Sequence, residues 1–150
     1  MTKQSELGEK ASNLFLKGYN CSQAVLLVML EHWGIKNELV TKIATGFGGG
    51  IGRCGSVCGA LTGGVMAIGT RYGTSESSED RLPTYELSRK FYEQFEKRNK
   101  GVLCKELIGY TLSNPDEYEK AKNENVFQNK CPKYVKNAVK ILLELTEPKS

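Results

Sequence analysis

The sequence predicts an all-α fold: a compact single-domain helical bundle of five to seven helices, with a glycine-rich loop before a central helix. Three observations lead to this prediction. Apolar residues recur at helical spacing, no segment alternates for long enough to form a strand, and glycines concentrate in the middle of the chain. At 150 residues the chain is long enough to bury a proper core, so one domain over 1–150 is expected.

The first third of the chain carries three predicted helices. Residues 5–17 form an amphipathic pattern that Gly18 ends. Asn20 and Gln23 have the spacing of a capping box, which predicts a second helix directly after Asn20. Residues 37–45 predict a short third helix. Its inward-facing residues would be Leu39, Val40, Ile43 and Ala44.

The middle of the chain predicts a loop followed by the central helix. Residues 46–73 hold eleven of the sixteen glycines, and the first ten residues of this segment are loop-like. They lack the lysine–threonine pair of a phosphate-binding loop. Ser56 is the predicted cap of the central helix. Gly59 and Gly63 then lie on one side of that helix, where they would allow either close helix packing or contact with a ligand.

The second half of the chain contains the remaining predicted helices. Residues 82–99 form a charged helix with Pro83 in its first turn. Residues 102–109 predict a short helix, and residues 115–123 are polar enough for a surface helix. Pro132 is predicted to begin the last helix, because proline is well tolerated in a first turn.

Composition argues against several partners. The net charge is only +4, and no basic stripe is backed by aromatics, so nucleic-acid binding is not expected. The uncharged stretch between Arg53 and Arg71 approaches the length of a membrane span, but it is too rich in glycine for one.

A polar start and an odd number of cysteines favour a cytoplasmic location. A homodimer is the expected assembly, with the glycine-rich helix packed against its copy.

The five cysteines are the candidates for chemistry. Cys21, Cys58 and Cys131 are each predicted in the first turn of a helix, where free N–H groups and the helix dipole stabilise a thiolate. For Cys58 this effect is expected to outweigh burial and lower the pKa. The competing interpretation is that the cysteines are small buried hydrophobes. No Cys-x-x-Cys motif occurs and His32 is the single histidine, which argues against a zinc finger, a thioredoxin motif or a hydrolytic metal centre.

Residues 58–63 read Cys-Gly-Ala-Leu-Thr-Gly, and residues 19–26 surround the first cysteine. Together with the glycines of residues 47–53, these segments resemble a family of small redox-active proteins. That family is known by four shared cysteines and a Cys-Gly-Ala-x-x-Gly motif. The resemblance spans residues 15–135. It implies that the shared cysteines converge and that Cys54 is additional and dispensable. The shared cysteines are Cys21, Cys58, Cys104 and Cys131.

Two redox functions fit this resemblance, and a third function does not involve redox chemistry. The four cysteines would either act as catalytic thiols or ligate a metal centre, most plausibly an iron–sulfur cluster for electron transfer. No other cofactor is expected, and the redox partner is not identified. The chain would then be an oxidoreductase or an electron carrier. The alternative is a helical interaction module with buried structural cysteines or a structural zinc site. The glycines expected beside a cofactor are Gly48, Gly49, Gly50, Gly59 and Gly63.

Overall fold

The structure is a computed structural model that describes residues 2–148, and these residues are helical with no strand among them. The predicted all-α class is confirmed. The described residues form eight α-helices rather than the predicted five to seven, because two short helices of five residues each are separate elements, and a 3-10 turn lies at Thr45–Phe47. The helices are α1 (Lys3–Leu16), α2 (Cys21–His32), α3 (Leu39–Ile43), α4 (Gly59–Tyr72), α5 (Leu82–Asn99), α6 (Cys104–Ile108), α7 (Pro115–Asn123) and α8 (Val126–Thr146).

Helix α8 is the element around which the others assemble. It packs most extensively against α1 and also contacts α2, α4 and α5. Val135, Ala138 and Leu142 are completely buried along it, and each buried aliphatic side chain of Val or Leu size stabilises the fold by about 1.5–3 kcal/mol. None of the helices within residues 2–148 combines the length and the apolar character needed to cross a membrane.

The start of α8 corrects one expectation. The helix begins at Val126, so Pro132 lies inside it rather than at its first turn. Proline has no N–H, and the carbonyl of Gln128 therefore lacks its usual helical partner. Before the proline, Lys130 Nζ donates to the carbonyl of Ile108 in α6 and the Phe127 ring packs against Tyr118 of α7, so tertiary contacts hold this part of α8. As a result Cys131 is the sixth residue of α8, and the predicted helix-start position of Cys131 is wrong.

Helices α2 and α4 approach each other closely. A Cβ atom at Gly63 would lie 2.5 Å from the carbonyl oxygen of Ser22, and one at Gly59 would lie 3.1 Å from the Cβ of Cys21. The glycine face of α4 is therefore filled by α2 of the same chain. The sequence predicts a homodimer because the glycine-rich helix could pack against its copy, and this contact within the chain removes that reason. The homodimer itself stays a prediction that sedimentation tests.

Two details differ from the predicted helices in the first half of the chain. Leu39 and Ile43 of α3 are more than half exposed, although their spacing predicts an inward face. Helix α3 has only five residues, which is too short to bury a stripe against α2. The cap of α4 is Cys58 itself rather than Ser56, so the chain enters this helix directly from the cysteine.

Candidate functional site

An open cavity of about 620 Å³ lies where α2, α4, α6 and α8 meet the glycine-rich loop. Cys21, Cys58, Cys104 and Cys131 all line it. Cys21 is half-buried and the other three are buried, and none of them is in a disulfide. The cavity therefore collects sulfurs from four helices that are far apart in the sequence.

Three of these cysteines lie at helix starts. Cys21 is the first residue of α2, Cys58 is the cap of α4, and Cys104 is the first residue of α6. The capping box predicted for α2 is present: Asn20 accepts from the Gln23 N–H at 2.9 Å, and Gln23 accepts from the Asn20 N–H at 3.1 Å. This box fixes the direction in which α2 leaves the loop and so positions Cys21.

A short backbone pairing holds Cys58 beside Cys104. Val57 and Leu103 form an isolated antiparallel bridge. On either side of it, the Cys58 N–H donates to the carbonyl of Val102 and the Cys104 N–H donates to the carbonyl of Ser56, both at 2.7 Å. The bridge joins the segments that lead into α4 and α6, so both helices begin at the cavity.

Cys21 and Cys58 have opposite acidities. Hydrogen bonds with Cys131 and Cys58, followed by burial, raise the pKa of Cys21 well above its usual value. The hydrogen bond with Cys21 lowers the pKa of Cys58 against the opposing effect of burial. The N–H groups of Ala60 and Leu61 lower it further, although Cys58 makes no well-aligned capping hydrogen bond. These shifts favour the thiolate form of Cys58 and the protonated form of Cys21.

Cys104 is a different kind of thiol. Burial, followed by charge interactions with Cys58 and Cys131, raises the pKa of Cys104 to about 12. Tyr134 of α8 lies near the same sulfurs, and burial is the main cause of its raised pKa. The Tyr134 hydroxyl donates to the carbonyl of Leu107 at 2.7 Å and so ties α8 to α6. At neutral pH the thiol of Cys104 is therefore protonated, and Cys104 lines the cavity without carrying a charge.

One wall of the cavity is a left-handed turn over residues 49–53. All five residues have positive φ, between 56° and 73°, including Ile51 and Arg53. A residue with a Cβ adopts this conformation at a cost of about 1–2 kcal/mol. A Cβ at Gly50 would lie 2.6 Å from the Ser56 nitrogen and 2.8 Å from the Cys104 Cβ. The turn therefore requires glycine at position 50 for close packing as well as for its φ.

The predicted cofactor-binding glycines divide into two groups. Gly48, Gly49, Gly50 and Gly59 line the cavity, as the sequence places them. Gly63 does not line it, because its Cα faces the backbone of Ser22 in the contact between α2 and α4. The last glycine of the motif thus serves helix packing.

The mouth of the cavity holds residues that the sequence interpretation missed. The Arg53 guanidinium lies 4.3 Å from the centre of the Tyr118 ring. Phe127 packs against the same tyrosine, with 5.9 Å between the ring centres. Tyr118 is an aromatic residue on an otherwise polar helix, and this signal could have drawn attention to it. Arg53 is separated from Cys58 by only four residues, but no spacing rule identifies it.

Cys54 and His32 lie outside the cavity. Cys54 is exposed in the loop, and its sulfur is 4.0 Å from the carbonyl oxygen of Gly52. His32 ends α2, where its Nε2 is 2.7 Å from a carboxylate oxygen of Glu147. Neither residue contributes to the group of four cysteines.

The four thiols surround a space, but they are not arranged as metal ligands. Within residues 2–148, no three His, Cys, Asp or Glu side chains are placed to hold one metal ion. A thiolate-ligated cluster needs metal–sulfur distances near 2.3 Å.

Comparison with known proteins gives three results. A family model described as "Putative redox-active protein (C_GCAxxG_C_C)" matches residues 19–145. An uncharacterised protein of Archaeoglobus fulgidus is 27% identical over 116 residues, which cover 71% of this chain and 77% of the relative. No solved structure matches the chain significantly.

Proposed function

The chain belongs to this redox-active family, and from that premise we propose that it is a thiol–disulfide redox protein in which Cys58 attacks and Cys21 resolves. The observation that supports this assignment is that Cys21 and Cys58 line one cavity at the starts of α2 and α4, and the pKa of Cys58 is lowered where that of Cys21 is raised. A lowered pKa increases the thiolate fraction of Cys58, and only the thiolate is an efficient nucleophile.

The reaction begins when the Cys58 thiolate attacks one sulfur of a substrate disulfide. A mixed disulfide forms, and the other half of the substrate leaves as a thiolate that takes a proton from water. The sulfur of Cys21 then attacks that of Cys58, and the proton of Cys21 goes to the departing second half. The substrate gains two electrons, and the protein retains a Cys21–Cys58 disulfide. An external dithiol returns both electrons and both protons.

Cys131 and Cys104 have supporting parts in this scheme. The hydrogen bond with Cys131 is the largest cause of the raised pKa of Cys21, so Cys131 keeps the resolving thiol protonated until the mixed disulfide forms. Cys104 stays protonated in the wall and leaves Cys58 as the attacking sulfur. A reducing cytoplasm is the compartment in which four such thiols would remain free.

The test is to trap the mixed disulfide. Reduced Cys21→Ser protein treated with a neutral small disulfide should accumulate an adduct on Cys58, whereas the native chain should form an internal Cys21–Cys58 disulfide. Mass spectrometry of peptides identifies both products. Cys54→Ser is the matched control and should behave as the native chain. Unchanged disulfide consumption by Cys58→Ser would contradict the proposal.

An iron–sulfur cluster for electron transfer is the second candidate. Four cysteines on one cavity favour it, since four thiolates suit such a cluster. The chemistry it would supply is one-electron transfer, with Cys21, Cys58, Cys104 and Cys131 as ligands. Anaerobic purification followed by iron and sulfide analysis tests it. A coloured protein that keeps its metal in Cys54→Ser and loses it in Cys58→Ser would establish this function in place of thiol exchange.

A further inference from the structure

The shape of the cavity limits what can reach Cys58. Cys58 is only 4% exposed, and its exposed side opens into a space of about 620 Å³. This volume is within the ~300–1,000 Å³ typical of small-molecule sites. A disulfide on the surface of a folded protein would have to enter the cavity to be attacked. The geometry therefore favours a small molecule, rather than a folded protein, as the substrate of Cys58.

Apart from the cysteine thiols, the cavity carries a single charged group. Among the described residues that line it, Arg53 is the one basic side chain, and no carboxylate is present. None of the ion pairs within residues 2–148 involves Arg53. Its guanidinium carbon lies 4.3 Å from the centre of the Tyr118 ring. Because no described carboxylate pairs with Arg53, its N–H groups are available to a carboxylate or phosphate, which a guanidinium binds in a bidentate manner.

The backbone of the left-handed turn adds donors beside Arg53. Gly49 and Gly50 line the cavity, and no acceptor within residues 2–148 takes a hydrogen bond from either N–H. The N–H groups that follow, from Ile51 to Ser56, all donate to carbonyls of the same loop. Adjacent free N–H groups in a turn form a concavity that suits an anion.

From this arrangement we propose that the cavity binds a small organic anion, and that the substrate of Cys58 is a low-molecular-weight disulfide carrying carboxylate or phosphate groups. Arg53 and the Gly49–Gly50 backbone bind the anionic group, while Phe15, Ile108 and Phe127 surround the apolar part. This inference rests on the proposed thiol–disulfide function. In the reaction, Cys21 and Cys58 are oxidised to a disulfide and the anionic disulfide is reduced to two thiols.

Three disulfides of similar length serve as probes: dithiodipropionate is anionic, bis(2-hydroxyethyl) disulfide is neutral and cystamine is cationic. The native reduced chain should be oxidised fastest by dithiodipropionate and slowest by cystamine. Arg53→Gln should slow the reaction with dithiodipropionate by about ten-fold or more, as expected for hydrogen bonds to a charged group. It should slow the reaction with the neutral probe much less, so that the ratio of the two rates falls. Arg89→Gln, on the exposed face of α5, is the matched control and should have no effect.

A binding measurement separates this inference from the proposed function. Calorimetry with Cys58→Ser protein and dithiodipropionate should show binding that Arg53→Gln weakens by the same factor, without thiol exchange. If Arg53-dependent binding occurs but the native chain exchanges no disulfide, the anion site stands and the proposed function is overturned. If exchange occurs at equal rates with all three probes, the function stands and the anion site is overturned. Arg53→Glu should reverse the probe order.

Discussion

Val57 pairs with Leu103 in a single antiparallel bridge, and this contact brings Cys58 and Cys104 to the same wall of the cavity. The two backbone hydrogen bonds of 2.7 Å beside it are the shortest of the described backbone bonds that lie outside the helices. They connect segments of the chain that neither periodicity nor capping relates to each other. The cavity is thus built by backbone pairing as well as by helix packing.

The thiols should differ in the pH at which they react. Because the pKa of Cys58 is lowered and that of Cys104 is raised to about 12, iodoacetamide near neutral pH should modify Cys58 but not Cys104 in the reduced protein. A bulky polymer-linked maleimide should reach only the exposed Cys54. Peptide mapping of timed samples measures each site. If Cys58 reacts only after unfolding, it is a structural residue.

Gly63→Ala should destabilise the protein, because the new Cβ would lie 2.5 Å from the carbonyl oxygen of Ser22. Forcing α2 and α4 apart costs about 1–3 kcal/mol of unfolding free energy. Gly69→Ala in the same helix meets no atom within 4 Å and should gain up to about 1 kcal/mol from helix propensity. Urea unfolding of both variants measures the difference. Equal stabilities would contradict the close contact.

The left-handed turn permits a second matched pair. Gly50 and Gly52 both have positive φ, of 73° and 56°. A Cβ at Gly52 meets nothing, so Gly52→Ala should cost only the backbone conformation, about 1–2 kcal/mol. Gly50→Ala adds the clash with Ser56 and Cys104 and should cost about 1–3 kcal/mol more. Denaturant midpoints compare the two, and a greater loss from Gly52→Ala would refute the packing argument.

Glu147 should make stability depend on acid pH. Burial alone would raise its pKa, but hydrogen bonds with His32 and Trp33 outweigh burial and lower the pKa below the usual value. A carboxyl with a depressed folded pKa stabilises the fold above its unfolded pKa of about 4.3, and this contribution disappears as pH falls through the folded value. Glu147→Gln should therefore lower Tm at neutral pH and converge with the native chain in acid.

At neutral pH, Glu147→Gln should lower Tm by a few degrees, which corresponds to about 1 kcal/mol of unfolding free energy in a chain of this length. The effect is small because Glu147 is partly exposed and solvent screens its charge. Glu93→Gln on α5 is the control, since Glu93 makes no hydrogen bond to a described side chain and should leave the pH profile unchanged. A constant Tm difference between the native chain and Glu147→Gln at all pH values would contradict the role of the charge.

Local signals predict the helices well and the site only in part. The capping box predicts the start of α2, and the apolar stripe predicts α5 at 82–99, because both depend on neighbouring residues. Pro132 misleads because packing overrides the usual position of proline. The bridge between Val57 and Leu103 has no local signal, since each partner contributes a single residue.

The glycine loop shows the same limit. Its glycines indicate backbone freedom, but the left-handed conformation of Ile51 and Arg53 is imposed by the surrounding fold. Arg53 therefore enters the cavity mouth through a conformation that its own sequence disfavours. Sequence reasoning predicts which cysteines belong together, whereas their acidities depend on contacts made across four helices.

The sulfurs of Cys21 and Cys58 belong to different helices, and this position links the redox state of the protein to its resistance to unfolding. A Cys21–Cys58 bond would tie the first residue of α2 to the cap of α4. In a chain-entropy estimate, closing that loop raises the free energy of the unfolded chain by about 4 kcal/mol, because it reduces the number of conformations open to it. By thermodynamic linkage, the folded chain favours the disulfide by the same amount relative to the unfolded one. The oxidised protein should therefore resist heat and proteases better than the reduced protein. Its lifetime would then depend on whether its last reaction left the disulfide formed or reduced.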